Sequence, residues 1–140
     1  EGTLTPDQWR GRLGEFDWVI LAVPATPETD DMIGADELAA MKDDTVIVNI
    51  ARGAVIDQPA LVEALEKKQI GGAFLDVTTP EPLPANDPLW ALDSAHITMH
   101  LSGRAQDKMF VRSADRFLAN LERYLQGKPV EPIFDPKRGY

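Results

Sequence analysis

The stretch Thr45-Val-Ile-Val-Asn-Ile-Ala-Arg-Gly-Ala-Val-Ile-Asp57 constrains this chain more than any other. Val46, Ile47, Val48 and Ile50 are all β-branched, and Asn49 alone interrupts them. That is the pattern of a strand buried on both faces of a parallel sheet, and the run is too short for a helix. Arg52 and Gly53 follow directly. Open parallel sheets place their ligands beyond the carboxyl ends of their strands, so a cation is presented where a ligand would lie. Taken alone, Arg52 reads equally well as an exposed arginine in a strand-to-helix turn.

The flanking sequence alternates strands and helices. Thr5-Pro6-Asp7-Gln8 opens like a capped helix, with Thr5 as N-cap and Pro6 at the first helical position, predicted to run to about Leu13 and stop at Gly14. Asp17–Val23 reads as a buried strand ended by Pro24 and the turn-rich Ala25–Thr29. Ala35–Met41 is a short helix. Pro59–Lys67 is another, with Asp57 or Gln58 near its N-cap and Lys67-Lys68 at the end where cations suit the helix dipole. Gly71-Gly72 then reset the chain for a third strand, Ala73–Val77, carrying Asp76 inside it. A carboxylate in an apolar strand is costly unless hydrogen-bonded, so Asp76 reads equally as a ligand contact or a structural acceptor. A proline-rich segment from Thr79 to Pro88 and an apolar turn at Leu89–Leu92 lead to a fourth strand, His96–His100, and a small-residue loop, Ser102-Gly103. Phe110, Ala114, Phe117, Leu121 and Leu125 form one stripe of a long amphipathic helix from about Asp107 to Leu125, ended by Gly127 and followed by a polar tail, Pro129–Tyr140.

This order argues for an α/β fold with a parallel sheet. No Gly-x-Gly-x-x-Gly phosphate turn occurs in the chain. It therefore reads as if it begins midway through a dinucleotide-binding fold, with the first βαβ unit absent.

A length of 140 residues suits one core. No apolar run approaches the roughly 18 residues of a membrane span, and Glu-Gly-Thr-Leu-Thr has neither the basic start nor the apolar stretch of a signal peptide. The expectation is a soluble, cytoplasmic chain. With no cysteine, disulfides and thiolate metal sites are excluded. A net charge of −9 repels nucleic acid and anionic membranes, so an anionic substrate must be drawn by a local cation.

Each polar candidate falls at or just beyond the carboxyl end of an apolar strand: Pro24 to Thr29, Arg52, Asp76 with Glu81, and His100. In a parallel sheet those ends share one edge, so four distant segments would meet at one crevice. An arginine can hold a carboxylate through two parallel hydrogen bonds, and a histidine exchanges a proton near neutral pH. A glutamate against the second ring nitrogen would fix the tautomer and favour the charged ring. Singly, Glu81-Pro82 is an ordinary loop carboxylate and His100 an ordinary structural histidine. His96 and His100 would pair as metal ligands on a helix. On a strand they lie about 13 Å apart, and no metal site is expected. Trp18 and Trp90 read as core or lid packing.

The combination is more specific than its parts. Asn49 to Asp57, then Gly72 to Val77 leading to Glu81-Pro82-Leu83-Pro84, then Thr98-Met99-His100 with Ser102-Gly103, resembles the D-isomer-specific 2-hydroxyacid dehydrogenases. The resemblance runs from about Asp17 to the long helix. It implies a Rossmann-like nucleotide-binding domain, incomplete here, over residues 1–106, with residues 107–140 returning toward a substrate domain. It also implies that Arg52 binds the substrate carboxylate and carbonyl, that His100 is the acid/base, and that Glu81 orients and charges it. Asp76 would meet the nicotinamide carboxamide of NAD or NADP. Val23, Pro24, Ala25, Ile50, Ala51, Arg52 and the loop from His100 through Ser102 and Gly103 would line the cofactor. The family's usual proline before the histidine is Met99 here.

By the same resemblance the substrate is a small 2-oxo or D-2-hydroxy acid, and the protein is a homodimer. Formate dehydrogenases share the fold but place a glutamine beside the histidine, and Glu81 argues against that variant. A non-catalytic NAD-sensing or oligomerisation module, as in the family's corepressors, is the alternative, and an inactive fragment is another.

Overall fold

The computed structural model describes residues 2–103, 108–133 and 135. The chain forms two units, Glu1–His100 and Leu101–Tyr140. The first is built on four parallel strands in the order β1-β2-β3-β4: β1 is Trp18–Leu21, β2 Val46–Asn49, β3 Gly72–Leu75 and β4 Ala95–Ile97. Trp18 lies opposite Val46, Val46 opposite Gly72, and Ala73 opposite Ala95. Sequence order equals spatial order. Every connection must therefore cross over, which is why helices alternate with the strands.

Two helices supply the crossovers, α1 (Ala35–Ala40) after β1 and α2 (Gln58–Glu66) after β2. The Gly34 amide donates to Glu37 Oε2 at 3.0 Å at the start of α1. The Ala60 amide donates to the Asp57 carboxylate at 3.2 Å, so Asp57 is the N-cap of α2. Leu38 of α1 and Leu61, Ala64 and Leu65 of α2 are buried with Leu21, Ile47, Ala73 and Leu75 of the sheet. Ile33, Val55, Ile56 and Leu89 close this core from the loops. Burying side chains of this size contributes about 1.5–3 kcal/mol each.

The core takes one face of the sheet. On the other, Trp18 and Ile20 are more than half exposed and Phe74 nearly so. The Phe74 ring stacks on His96 with centroids 4.6 Å apart. Within this chain the expected burial of the first strand is thus corrected: one face of β1 is open, and alternation along it is masked because both faces carry large apolar residues. Trp18 is 57% exposed and Trp90 55%, so neither is a core residue.

Three boundaries also differ. Residues Thr5–Gln8 make a turn in place of the first turn of the expected helix, with the Gln8 amide on Thr5 O at 3.0 Å and the Thr5 amide on Gln8 Oε1 at 3.2 Å. The turn continues as a 3₁₀ helix, Arg10–Glu15, not an α-helix. Leu13 is the one buried side chain there, which gives a longer helix little apolar surface to hide. Asp76 lies just beyond β3, not inside it, and β4 ends at Ile97, short of His100.

The second unit contains α3, Met109–Leu125, ended by Gly127 at φ +67°, the left-handed conformation that glycine adopts freely. The expected start at Asp107 lies outside the described residues. Asn120 and Arg123 hold the following segment: Asn120 Nδ2 donates to Glu131 O at 2.9 Å, and Arg123 Nη2 pairs with Glu131 Oε1 at 2.7 Å. No side chain of α3 is buried. Among the described residues no helix is long and apolar enough to cross a membrane.

Candidate active site

Because all four strands are parallel, their carboxyl ends share one edge, and the polar segments follow from it in turn. Val23–Thr29 follows β1, Arg52 follows β2, Asp76 and Glu81 follow β3, and His100 follows β4.

The Arg52 turn is built by Asn49, which is 1% exposed. Its Oδ1 accepts the Ala51 amide at 3.0 Å, and its Nδ2 donates to Arg52 O at 2.9 Å. One buried carboxamide thus ties the strand end to the turn that follows, replacing the sheet partners the backbone has lost. Ala51 is buried, whereas Ile50 and Arg52 are exposed. Arg52 Nη1 donates to Ala51 O at 2.6 Å. Among the described residues no carboxylate pairs with its guanidinium.

Gly53 brings this turn against the next loop. A Cβ at Gly53 would lie 2.0 Å from Thr78 O and 2.4 Å from Thr79 Oγ1. Only a glycine permits that approach, and it fixes the Arg52 turn on the segment leading to Glu81. Asp76, 7% exposed, accepts a hydrogen bond from the Thr98 hydroxyl, and the Asp76 amide donates to Asn49 O at 3.0 Å. A structural acceptor role for Asp76 is therefore present, and the carboxylate also lines a pocket of about 420 Å³ with Thr78, Glu81, Leu83, Trp90 and Met99.

His100 and Glu81, 19 residues apart, meet with Nδ1 2.9 Å from Oε1. His100 has φ +54°, the left-handed conformation, which is uncommon for a residue with a Cβ. Both side chains remain about 40% exposed. His96, stacked on Phe74 in β3, has different neighbours from His100.

Pro24 and Ala25 are exposed and Val23 half-buried against the core. Thr29 shapes their loop, its hydroxyl donating to Pro24 O at 2.7 Å and accepting the Thr26 amide at 2.8 Å. The hydroxyl of Thr26 and the backbone amide of Glu28 hold the Glu28 carboxyl below its ordinary range. Ser102 and Gly103 form an exposed turn in the second unit.

Sequence reading singled out Arg52, Glu81 and His100 but not the groups that support them. Asn49 was legible only as a polar break in an apolar run, and the approach of Gly53 to Thr78 left no local signal.

A family model for the D-isomer specific 2-hydroxyacid dehydrogenase NAD binding domain matches residues 2–102. The chain belongs to that family. A glyoxylate/hydroxypyruvate reductase B of Pectobacterium carotovorum is 38% identical over 125 residues, covering 89% of this chain and 39% of the relative. The human glyoxylate reductase/hydroxypyruvate reductase is 37% identical over 119 residues, covering 83% and 35%. Among solved structures, a D-isomer specific 2-hydroxyacid dehydrogenase from Xanthobacter autotrophicus in complex with NADPH superposes with a TM-score of 0.86 at 37% identity, over 96% of this chain and 55% of that one. An NADPH-dependent glyoxylate/hydroxypyruvate reductase from Sinorhizobium meliloti, in complex with NADP and sulfate, gives 0.86 at 25% identity, over 98% and 44%. The chain thus spans about two fifths of the length of the curated relatives it matches.

As a 2-hydroxyacid dehydrogenase domain, the first unit fits the nicotinamide end of a dinucleotide. Its largely buried Asp76 lines a pocket with Glu81 and Trp90, beyond the carboxyl ends of the strands, where open parallel sheets place their ligands. The chain's own sequence offers no glycine-rich turn for the pyrophosphate.

Proposed function

We propose that this chain supplies the nucleotide-side part of the active site of an NAD- or NADP-dependent reductase of small 2-oxo acids, of the glyoxylate and hydroxypyruvate class. The observation that carries the reading is the His100–Glu81 contact at 2.9 Å, on the sheet edge that also bears Arg52, which pairs with no carboxylate among the described residues.

A 2-oxo acid presents a planar carboxylate beside a carbonyl. A guanidinium matches the first with two parallel hydrogen bonds and polarises the second. Arg52 is the local cation that draws this anion into a chain of net charge −9. The nicotinamide, when bound, supplies the hydride that reduces C2. Nδ1 of His100 is engaged by Glu81, so Nε2 is the atom that gives its proton to the oxygen on C2, and in the oxidative direction takes it back. Glu81 keeps the ring oriented and offsets its positive charge while it waits. Asp76 receives the carboxamide, and Val23, Pro24, Ala25, Ile50, Ala51, Ser102 and Gly103 line the cofactor. The same reading makes the protein a cytoplasmic homodimer, with residues 107–140 returning toward the substrate domain.

The test is steady-state reduction of glyoxylate and hydroxypyruvate by NADH and NADPH, using the full-length protein. His100→Ala is expected to lower kcat by about 10²–10⁴. Arg52→Ala removes a charge-assisted pair of about 1.5–3 kcal/mol and is expected to raise KM as well as lower kcat. Turnover of neither acid with either nucleotide, or a His100→Ala variant as fast as its parent, would overturn the reading.

A further inference from the structure

The loop that carries Glu81 is held by a side chain outside the catalytic set. Gln58 is the first residue of α2, and Asp57 already serves as the N-cap, so the Gln58 amide is not needed to start the helix. It reaches instead to the loop after β3. Gln58 Oε1 accepts the Thr79 amide at 2.9 Å, and Gln58 Nε2 donates to Asp87 Oδ2 at 3.1 Å. Asp87 in turn caps the 3₁₀ helix Pro88–Ala91, accepting the Leu89 amide at 2.9 Å on its other oxygen. One carboxamide therefore clasps both ends of the segment Thr79–Asp87, and Glu81 sits two residues inside the first of those ends.

We propose that Gln58 is a positioning residue for the acid/base pair, acting through Thr79 to hold Glu81 against His100. This rests on the proposed roles of Glu81 and His100 but assigns a residue that the sequence pattern left as a candidate cap. Three facts carry it. The Glu81–His100 contact is exposed, so packing does not hold it. The Thr78 hydroxyl bonds Pro80 O at 3.0 Å, within the loop itself, and so does not tie the loop to α2. The two Gln58 bonds also need a head with one acceptor and one donor, which an amide alone among the common side chains of that length supplies. Gln58 lies six residues from Arg52 in the segment that Gly53 docks on Thr78, so the clasp ties the loop to the arginine turn at a second point.

The test uses the full-length protein with histidine labelled with ¹⁵N, in which the His100 signals are assigned by their absence from a His100→Gln variant. In the parent protein the neutral His100 ring is expected to carry its proton on Nδ1, donated to Glu81, whereas a ring without that partner samples both tautomers. Gln58→Glu keeps an acceptor for the Thr79 amide but sets two carboxylates against each other at Asp87. It is expected to shift His100 toward the mixed tautomer and to lower kcat about tenfold, the effect of one lost hydrogen bond, with KM for the 2-oxo acid moving less than twofold. Adding Asp87→Asn restores a donor facing the new carboxylate and is expected to recover both signals. Gln58→Met, which removes both bonds without adding charge, is expected to match Gln58→Glu in direction. An unchanged Nδ1 signature in Gln58→Glu and Gln58→Met, or no recovery in the double variant, would overturn the assignment of Gln58 while leaving the acid/base pair intact. A parent His100 without the Nδ1 proton would overturn the pair itself, and the Gln58 proposal with it.

Discussion

Gly53→Ala tests the contact that joins the two halves of the site. The added methyl carbon would sit 2.0 Å from Thr78 O, 2.2 Å from Thr78 C and 2.4 Å from Thr79 Oγ1. Two of these atoms are backbone, so no side-chain rotation relieves the overlap. To recover the 3.4 Å of ordinary contact, the loops must part by about 1.4 Å. Overpacking of this kind costs about 1–3 kcal/mol of stability. The functional cost is the larger. Arg52 precedes the glycine and Glu81 follows Thr79 by two residues, so the parting displaces the carboxylate-binding group from the acid/base pair. A misplacement near 1 Å lowers rate about 10²-fold. The assay pairs thermal unfolding with kcat/KM for glyoxylate. Gly11→Ala serves as the control, because a Cβ there meets nothing within 4 Å. A Gly53→Ala protein with the melting temperature and kcat/KM of its parent would refute the claim that this approach sets the distance between Arg52 and Glu81.

Asn49→Ala leaves the Ala51 amide and the Arg52 carbonyl without their partner in a buried turn, and is expected to cost about 1–3 kcal/mol in chemical denaturation. An Asn49→Ala midpoint equal to the parent's would show that the turn is held by other contacts. A further expectation concerns acid. Burial pushes the Glu37 carboxyl up, but the Arg10 guanidinium and the Gly34 amide outweigh it and hold the group below its ordinary 4.5. The stability this carboxylate adds is present above 4.5 and is lost as pH falls through the lower folded value. Glu37→Gln is therefore expected to flatten the acid limb of unfolding free energy against pH below about 4.5, with no change in slope near neutral pH. An acid limb as steep as the parent's would remove Glu37 as a contributor.

The linear sequence determined a good deal. Helical spacing, cap chemistry and β-branched runs are local properties, so α1, α2 and the centres of β2 and β3 could be read directly. Strand–helix alternation then required parallel strands, and parallel strands require a shared edge for Arg52, Glu81 and His100. The tertiary structure decided what depends on neighbours remote in the chain. Burial of β1 depends on what covers each face, and the helix expected after Thr5 gave way to a 3₁₀ helix in which Leu13 is the one buried residue. Asp76 stands just past its strand, where its carboxylate meets the hydroxyl of Thr98, a residue 22 positions away. Above all, Gly53 against Thr78 and Gln58 on Thr79 and Asp87 are contacts of a folded chain. Composition and period carry no trace of them, since each depends on where two loops come to rest and not on what either segment prefers alone.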